Sequence, residues 1–199
     1  MRTTVLLGIV AVVTAAGDGR CDPVPPPAGP GAERTTVVAV GGWSDRVDGL
    51  RGRLVLARGR VLGDGRTRES VAYVELEYAP DAVGGAAVVV FDPDALRCEL
   101  TDAAGTAVPP APVPGSGGRP GKAVLTLPHD TTVRLRASPY GFGRPDGFLI
   151  PLTGTAWHAT DRAEYHLSGT LTVTPPADRP GAWTGELRLP RATVRPTDR

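Results

Sequence analysis

Length, composition and charge already limit what this chain can be. It has 199 residues, 41% of them hydrophobic, and its 22 basic and 21 acidic side chains leave a net charge of +1. The hydrophobic content is too high for a disordered chain, and the length fits one domain with a terminal extension. The balanced charge argues against a nucleic-acid partner, because such a surface needs a basic excess.

The first sixteen residues have the layout of a secretory signal. Arg2 provides a positive start, residues 5–13 are almost all apolar, and residues 14–16 are small enough for cleavage. The apolar run is too short to span a bilayer, which takes about 20 residues. We therefore expect a signal peptide over 1–16, an exported chain in the periplasm, at the cell surface or outside the cell, and no membrane span after signal removal.

A Pro/Gly-rich segment follows over 17–33 and is typical of an extended tether. It contains Cys21, and the other cysteine of the chain, Cys98, lies far downstream. Two cysteines in an exported chain indicate one disulfide, which requires the tether to fold back; a stiff tether instead holds Cys21 away from Cys98. The chain has no CxxC spacing that would indicate a redox or zinc site.

From residue 34 onward the sequence consists of short β-type runs separated by Gly, Pro and Asp. Many alternate between apolar and polar residues, which predicts strands with one buried face. The run at 86–91 is apolar throughout, which favours a strand covered on both faces. The predicted strands are 35–40, 50–56, 72–78, 86–91, 96–101, 123–127, 133–137, 148–152, 165–173 and 183–189.

The largest interruption is the Pro/Gly-rich segment 109–121. It is either a linker between two small domains or a long loop within one domain. Because each half would hold only about 75 residues, a marginal size for a core, we predict a single domain over 34–195.

This pattern predicts an all-β, antiparallel β-sandwich of about seven to nine strands. The segment 161–167 matches the D-x-A-x-Y-x-C pattern of a tyrosine corner, with Leu167 in the cysteine position. In that motif the hydroxyl of Tyr165 bonds to the backbone just upstream; the alternative is an ordinary inward-facing tyrosine. Leu167 excludes the usual inter-sheet disulfide, so the predicted class is immunoglobulin-like or fibronectin-like, with Tyr165 and Leu167 as structural residues.

Segments 43–54 and 165–176 resemble those of small exported β-sandwich proteins from GC-rich bacteria. The absence of Asn and Gln, and a single lysine, fit such a coding bias. The resemblance implies an exported immunoglobulin-like fold. It carries over no activity and no catalytic residue.

No spacing in the sequence indicates catalysis, a metal or a cofactor. The three histidines, His129, His158 and His166, do not form a metal-binding motif, and Asp92 with Asp94 lacks the rest of a calcium loop. No serine lies in a G-x-S-x-G elbow. Carboxylates that come together only in the folded chain remain an open alternative.

The loop 139–148 concentrates aromatic residues in a Gly/Pro frame. Tyr140 and Phe142 are candidate binding anchors, and Arg144 is a candidate polar contact. The alternative is that the rings cap the open end of the sandwich. By the same logic Trp43, Trp157 and Trp183 are predicted to pack in the core or at a sheet edge.

The leading interpretation is a non-catalytic exported binding or structural module of the cell envelope that recognises protein or glycan through end loops. One alternative is a hydrolase or metal-dependent enzyme with spatially assembled carboxylates. Another is a periplasmic inhibitor or accessory domain. The sequence indicates no oligomeric state.

Overall fold

The computed structural model describes residues 36–61, 68–80, 85–112, 121–138, 141–143, 147–152, 155–160, 163–175 and 177–195. These residues belong to one compact unit that spans 31–199. They form thirteen strands and a single turn of 3₁₀ helix, Pro93–Ala95. The strands are β1 Thr36–Val40, β2 Leu50–Val61, β3 Arg68–Tyr78, β4 Ala86–Phe91, β5 Leu96–Asp102, β6 Ala111–Pro112, β7 Ala123–Pro128, β8 Thr131–Arg136, β9 Gly141–Gly143, β10 Gly147–Leu152, β11 Thr155–Thr160, β12 Tyr165–Val173 and β13 Gly185–Val194.

All the strand pairs of the described residues are antiparallel. The largest sheet has the order β1–β2–β3–β8, with β9 paired to the beginning of β3. Three smaller sheets have the orders β13–β12–β5, β10–β11–β6 and β4–β7. The all-β, antiparallel sandwich predicted from the alternating pattern is therefore confirmed, but the expected number of about seven to nine strands is too low, because the described residues form thirteen.

A two-residue turn joins the segment that follows β1 to the start of β2. Val47 and Leu50 exchange both backbone hydrogen bonds, at 2.9 and 3.0 Å, across Asp48 and Gly49. Both turn residues have positive φ, 46° and 80°, as a type I′ turn requires, and Asp-Gly suits that turn. Leu50, the first residue of β2 after this turn, is fully buried.

The inward side chains of all four sheets line one hydrophobic core. Leu54 and Leu76 of the largest sheet are fully buried, as are Leu171 and Leu187 of the sheet that packs on it. Gly52 lies where β2 meets β13: a Cβ there would be 3.0 Å from a methyl of Leu189. The two layers are therefore packed tightly at a residue without a side chain.

The structure adds three strands that the sequence analysis did not predict: β6, β9 and β11. β6 lies inside the predicted loop 109–121, where Ala111 and Pro112 pair with the first residues of β11. Pro112 is tolerated because β6 is an edge strand of its sheet. Residues 113–120 lie outside the described residues.

β4 also differs from its prediction. Its burial alternates, with Ala87, Val89 and Phe91 buried and the residues between them half-exposed. The partial exposure of Val88 and Val90 shows that the outer face of this strand stays in partial contact with solvent. A continuous apolar run is therefore not covered on both faces here.

Within the described ranges no helix is long and apolar enough to cross a membrane. The predicted signal peptide, 1–16, and tether, 17–33, lie outside those ranges. Both stay predictions.

Candidate functional site

The outer surface of the largest sheet carries alternating charges in register across three strands. Arg51 of β2 lies opposite Glu77 of β3, and Arg53 lies opposite Glu75. On the other side, Glu75 lies opposite Arg134 of β8. Residues directly opposite in an antiparallel pair share a face, so these side chains form one surface. We call it the arginine face and define it as Trp43, Arg46, Arg51, Arg53, Glu75, Glu77 and Arg134.

Glu75 is the centre of the arginine face and is buried beneath two arginines. Arg134 donates from Nε and Nη2 to its Oε1 at 2.8 and 2.6 Å, and Arg53 donates from Nε to its Oε2 at 2.6 Å. Burial by itself would raise the pKa of Glu75, but the hydrogen bonds from Arg134 and Arg53 outweigh burial and hold that pKa below the ordinary 4.5. Glu75 is therefore ionised at neutral pH and fixes both guanidinium groups.

Glu77, two residues after Glu75 on β3, is the centre of a second and more exposed group of charges. Arg51 donates to its Oε1 from Nε and Nη2 at 3.0 and 2.6 Å. Arg46 lies 3.9 Å from the same oxygen, and the hydroxyl of Thr132 donates to Oε2 at 3.4 Å. The paired charges of the arginine face therefore continue to the end of β3.

Trp43 lies against the arginines of β2. Its ring centroid is 4.8 Å from Cζ of Arg51 and 4.4 Å from Cζ of Arg53, within the range of cation–π attraction. The next residue, Ser44, fixes this position: its backbone N–H donates to the carbonyl of Gly52 at 2.8 Å, and its Oγ accepts from the N–H of Gly52 at 3.0 Å. Gly52 lies between Arg51 and Arg53 in β2. Because Ser44 is hydrogen-bonded to Gly52, the neighbouring Trp43 is held next to both arginines.

Positive charge forms the outermost layer of the arginine face. The side chains of Glu75 and Glu77 are only 6% and 15% exposed, whereas those of Arg134 and Arg46 are 46% and 45% exposed. Arg51 and Arg53 are exposed to an intermediate degree. Arg53 donates to Glu75 from Nε, and its Cζ lies over the Trp43 ring. Four guanidinium groups therefore lie over two carboxylates, and an approaching ligand meets the cations first.

The protonation of Glu75 should be visible in the acid stability of the fold. Its folded-state pKa lies below its unfolded value, so its contribution is complete above the ordinary glutamate pKa and is lost as pH falls through the lowered value. We expect Glu75→Gln to cost about 1–2 kcal/mol at neutral pH, because the half-exposed arginines keep water. Its melting temperature should then fall less than the wild type's between about pH 5 and about pH 3.

The matched control is Glu186→Gln on β13. That glutamate is half exposed and lies 3.5 Å from Arg188, itself 89% exposed. Its variant should follow the wild-type acid profile. A Glu75→Gln profile that also follows the wild type would show that Glu75 does not hold the arginines in solution.

The predicted loop site falls largely outside the described residues. Tyr140 and Arg144 are not among them, and of Phe142 the structure gives the backbone, which pairs with Glu69 at the beginning of β3. β9 therefore continues the line of β8 along β3, on the same sheet as the arginine face. The anchors Tyr140 and Phe142 and the contact Arg144 stay predictions.

The sequence analysis predicted the same packing role for all three tryptophans, but the structure buries only two of them. Trp157 and Trp183 are buried, and their indole N–H groups donate to the carbonyls of Val108 and Val47 at 2.9 and 3.0 Å. Trp43 is half-exposed on the arginine face.

The sequence analysis missed the arginine face. The signal that could have indicated it was the R-x-R of β2 together with the E-x-E of β3, because opposite charges at the same spacing indicate neighbouring strands.

The histidines are dispersed. His129 lies 3.0 Å from Asp130, His166 lies 3.5 Å from Glu164, and His158 is exposed. Asp92 accepts from the backbone N–H of Asp94 and pairs with Lys122 at 2.9 Å. Among the residues that the structure describes, no group of three or more His, Cys, Asp or Glu side chains is placed to hold a metal ion.

Tyr165 and Leu167 lie at the start of β12. Tyr165 is buried, and its hydroxyl accepts from the backbone N–H of Thr160 at 3.3 Å. Leu167 is 1% exposed and lies between Leu100 of β5 and Ala192 of β13. The tyrosine thus bonds to backbone five residues upstream, and the leucine belongs to the core.

The sulfur of Cys98 on β5 is packed over a glycine. A Cβ on Gly169 would lie 2.8 Å from its Sγ. Burial raises the pKa of Cys98 to about 12, so almost none of it is thiolate at neutral pH. Cys21 lies outside the described residues, and the pairing of Cys21 with Cys98 stays a prediction.

Alkylation distinguishes a free Cys98 thiol from a Cys21–Cys98 disulfide. We expect negligible labelling by iodoacetamide in the native protein, because the thiol is protonated and covered. In denaturant without reductant, a free thiol is labelled at once, whereas a Cys21–Cys98 disulfide is labelled only after reduction. Rapid labelling of Cys98 in the native protein would contradict its burial.

Comparisons with protein-family models, with curated proteins and with solved structures found no match to this chain.

Proposed function

We propose that this protein is an exported, non-catalytic binding module of the cell envelope that holds an anionic partner against its arginine face. The observation that carries the proposal is the layering of charge: four guanidinium groups lie outside two covered carboxylates on one regular sheet. A guanidinium is always charged and presents a rigid donor fork that suits carboxylates and phosphates.

The position of the arginine face within the sheet supports recognition by side chains. β2 lies between β1 and β3, and β3 lies between β2 and β8. The backbone groups under the face are engaged in the sheet, so a partner meets guanidinium groups and the Trp43 ring. This shifts the predicted contact surface from the end loops to the sheet, while the loop 139–148 extends the same sheet through β9.

The first sixteen residues support an envelope location, and the resemblance to small exported sandwich proteins points to the same compartment and to an immunoglobulin-like class. Cell fractionation with N-terminal sequencing tests this part. We expect envelope or medium material that begins near Gly17. Material that begins at Met1 and remains in the cytoplasm would refute export.

Retention of the purified full chain on beads that carry polyanions tests the binding surface. We expect retention that weakens steeply with salt and that Arg53→Ser with Arg134→Ser reduces at least about tenfold, because each lost phosphate or carboxylate contact lowers the salt-dependent affinity. Arg188→Ser on β13 removes the same charge from an 89% exposed position outside the face and should lose little. Equal losses from the two sites would show only a general effect of charge.

A further inference from the structure

We propose that the ligand of the arginine face is an acidic polysaccharide built from uronic acid rings, with one ring against Trp43 and neighbouring carboxylates on Arg53 and Arg134. This inference rests on the proposed function and specifies its ligand. The juxtaposition that carries it is a partly buried indole beside guanidinium groups of β2, with the guanidinium of Arg134 on β8 fixed by the same glutamate across β3.

The charge balance of the face favours carboxylates spaced along a chain. Glu75 and Glu77 lie beneath the arginines and offset half of their charge. The remaining excess suits one singly charged group at a time more than a phosphate polymer, whose binders show a strong basic excess. The overall charge of +1 agrees with this.

Trp43 adds a feature that an acidic protein segment does not need. The part of the Trp43 ring that Arg51 and Arg53 leave uncovered offers an apolar contact to the C–H face of a pyranose ring, at a low cost in side-chain entropy. An acidic peptide would gain most from an unpaired strand edge, whereas β2 and β3 have both edges paired. A stiff polysaccharide also loses less conformational entropy than a flexible peptide when it lies along a sheet.

Glu75 is a positioning residue in this arrangement. It holds Nε of Arg53 and both Nε and Nη2 of Arg134 at 2.6–2.8 Å. Removing its charge makes the face more positive, which by Coulomb attraction alone would strengthen the binding of any anion. If Glu75 orients the two guanidinium groups, its removal instead weakens binding of the ligand that needs them both.

The experiment is a titration of the purified full chain with four polymers: polygalacturonate, its methyl ester, poly-glutamate and dextran sulfate. We expect polygalacturonate to bind at least about tenfold more tightly than its neutral ester and than poly-glutamate, a difference of about 1.4 kcal/mol. Trp43→Ala should weaken polygalacturonate about tenfold and leave poly-glutamate unchanged. Glu75→Gln should also weaken polygalacturonate, while Arg188→Ser should not.

The outcomes separate this inference from the proposed function. Equal binding of polygalacturonate, poly-glutamate and dextran sulfate, with no effect of Trp43→Ala, would overturn the uronate ligand and leave an anionic partner in place. Tighter binding by Glu75→Gln would overturn its positioning role. Binding of none of the charged polymers would refute both the ligand and the proposed function. Circular dichroism of each variant at the titration temperature checks that it is folded.

Discussion

Replacing Trp183 by alanine should destabilise the fold by about 3–5 kcal/mol, the cost of removing a large buried aromatic side chain. Trp183 is 8% exposed, and it connects three parts of the chain. Its indole N–H donates to the carbonyl of Val47 beside the hairpin turn, and its backbone N–H donates to the carbonyl of Val88 on β4. Its ring also covers Gly185, where a Cβ would lie 2.9 Å from it.

Urea unfolding measures this effect as a shift of the midpoint at constant slope. Trp183→Phe should cost less than Trp183→Ala, because it keeps most of the ring and because the carbonyl of Val47 also accepts from Leu50. Trp43→Ala is the matched control: this half-exposed residue makes cation–π contacts of about 0.5–1 kcal/mol. Equal shifts for the two tryptophans would mean that their burial is assigned wrongly.

Leu167→Ala should cost about 2–5 kcal/mol by leaving a cavity between the sheets. Leu167 is 1% exposed and has Leu100 and Ala192 as its neighbours across the two adjoining strands. The spread of the expected value reflects how far the surrounding side chains can close the cavity. Thermal or urea unfolding gives the value directly.

Two variants of β12 test the direction of the strand. Ser168→Ala changes the next residue, which faces the other way and is half-exposed, and should shift stability by less than about 0.5 kcal/mol. Tyr165→Phe removes the acceptor for the backbone N–H of Thr160 and should cost about 1 kcal/mol. A large effect of Ser168→Ala with none of Leu167→Ala would reverse the assigned faces and remove the basis for a tyrosine corner.

The strands with strong alternation were predictable because a period of two is a local property. β3 and β12 are examples, since apolar residues at every second position can be buried only on one face of a strand. β6 and β11 were not predictable in the same way. Their sequences, Ala-Pro and Thr-Ala-Trp-His-Ala-Thr, are strands because they pair with each other and with β10.

In the candidate site, too, the local sequence predicts some features, and only the pairing of distant strands decides the others. Arg51 and Arg53, like Glu75 and Glu77, fall on the polar side of their strands by alternation alone. Which arginine meets which glutamate depends on the register between β2 and β3, which the whole ladder of paired residues from Leu50–Tyr78 to Val61–Arg68 defines. The third partner, Arg134, comes from a strand 59 residues away from Glu75 in sequence, and no local pattern could assign it.

The sequence by itself determined most of the strands, the all-β fold class and the expectation of export, because hydrophobic periodicity, turn residues and a short apolar start are properties of neighbouring residues. The tertiary structure decided which tryptophan is exposed and which charges form one surface. Those properties depend on the register of strands that are distant in sequence and on which sheet face another layer covers. Trp43 and Trp183 illustrate this: both lie close to glycines in sequence and were given the same role from sequence, and only the packing around Trp183 buries it.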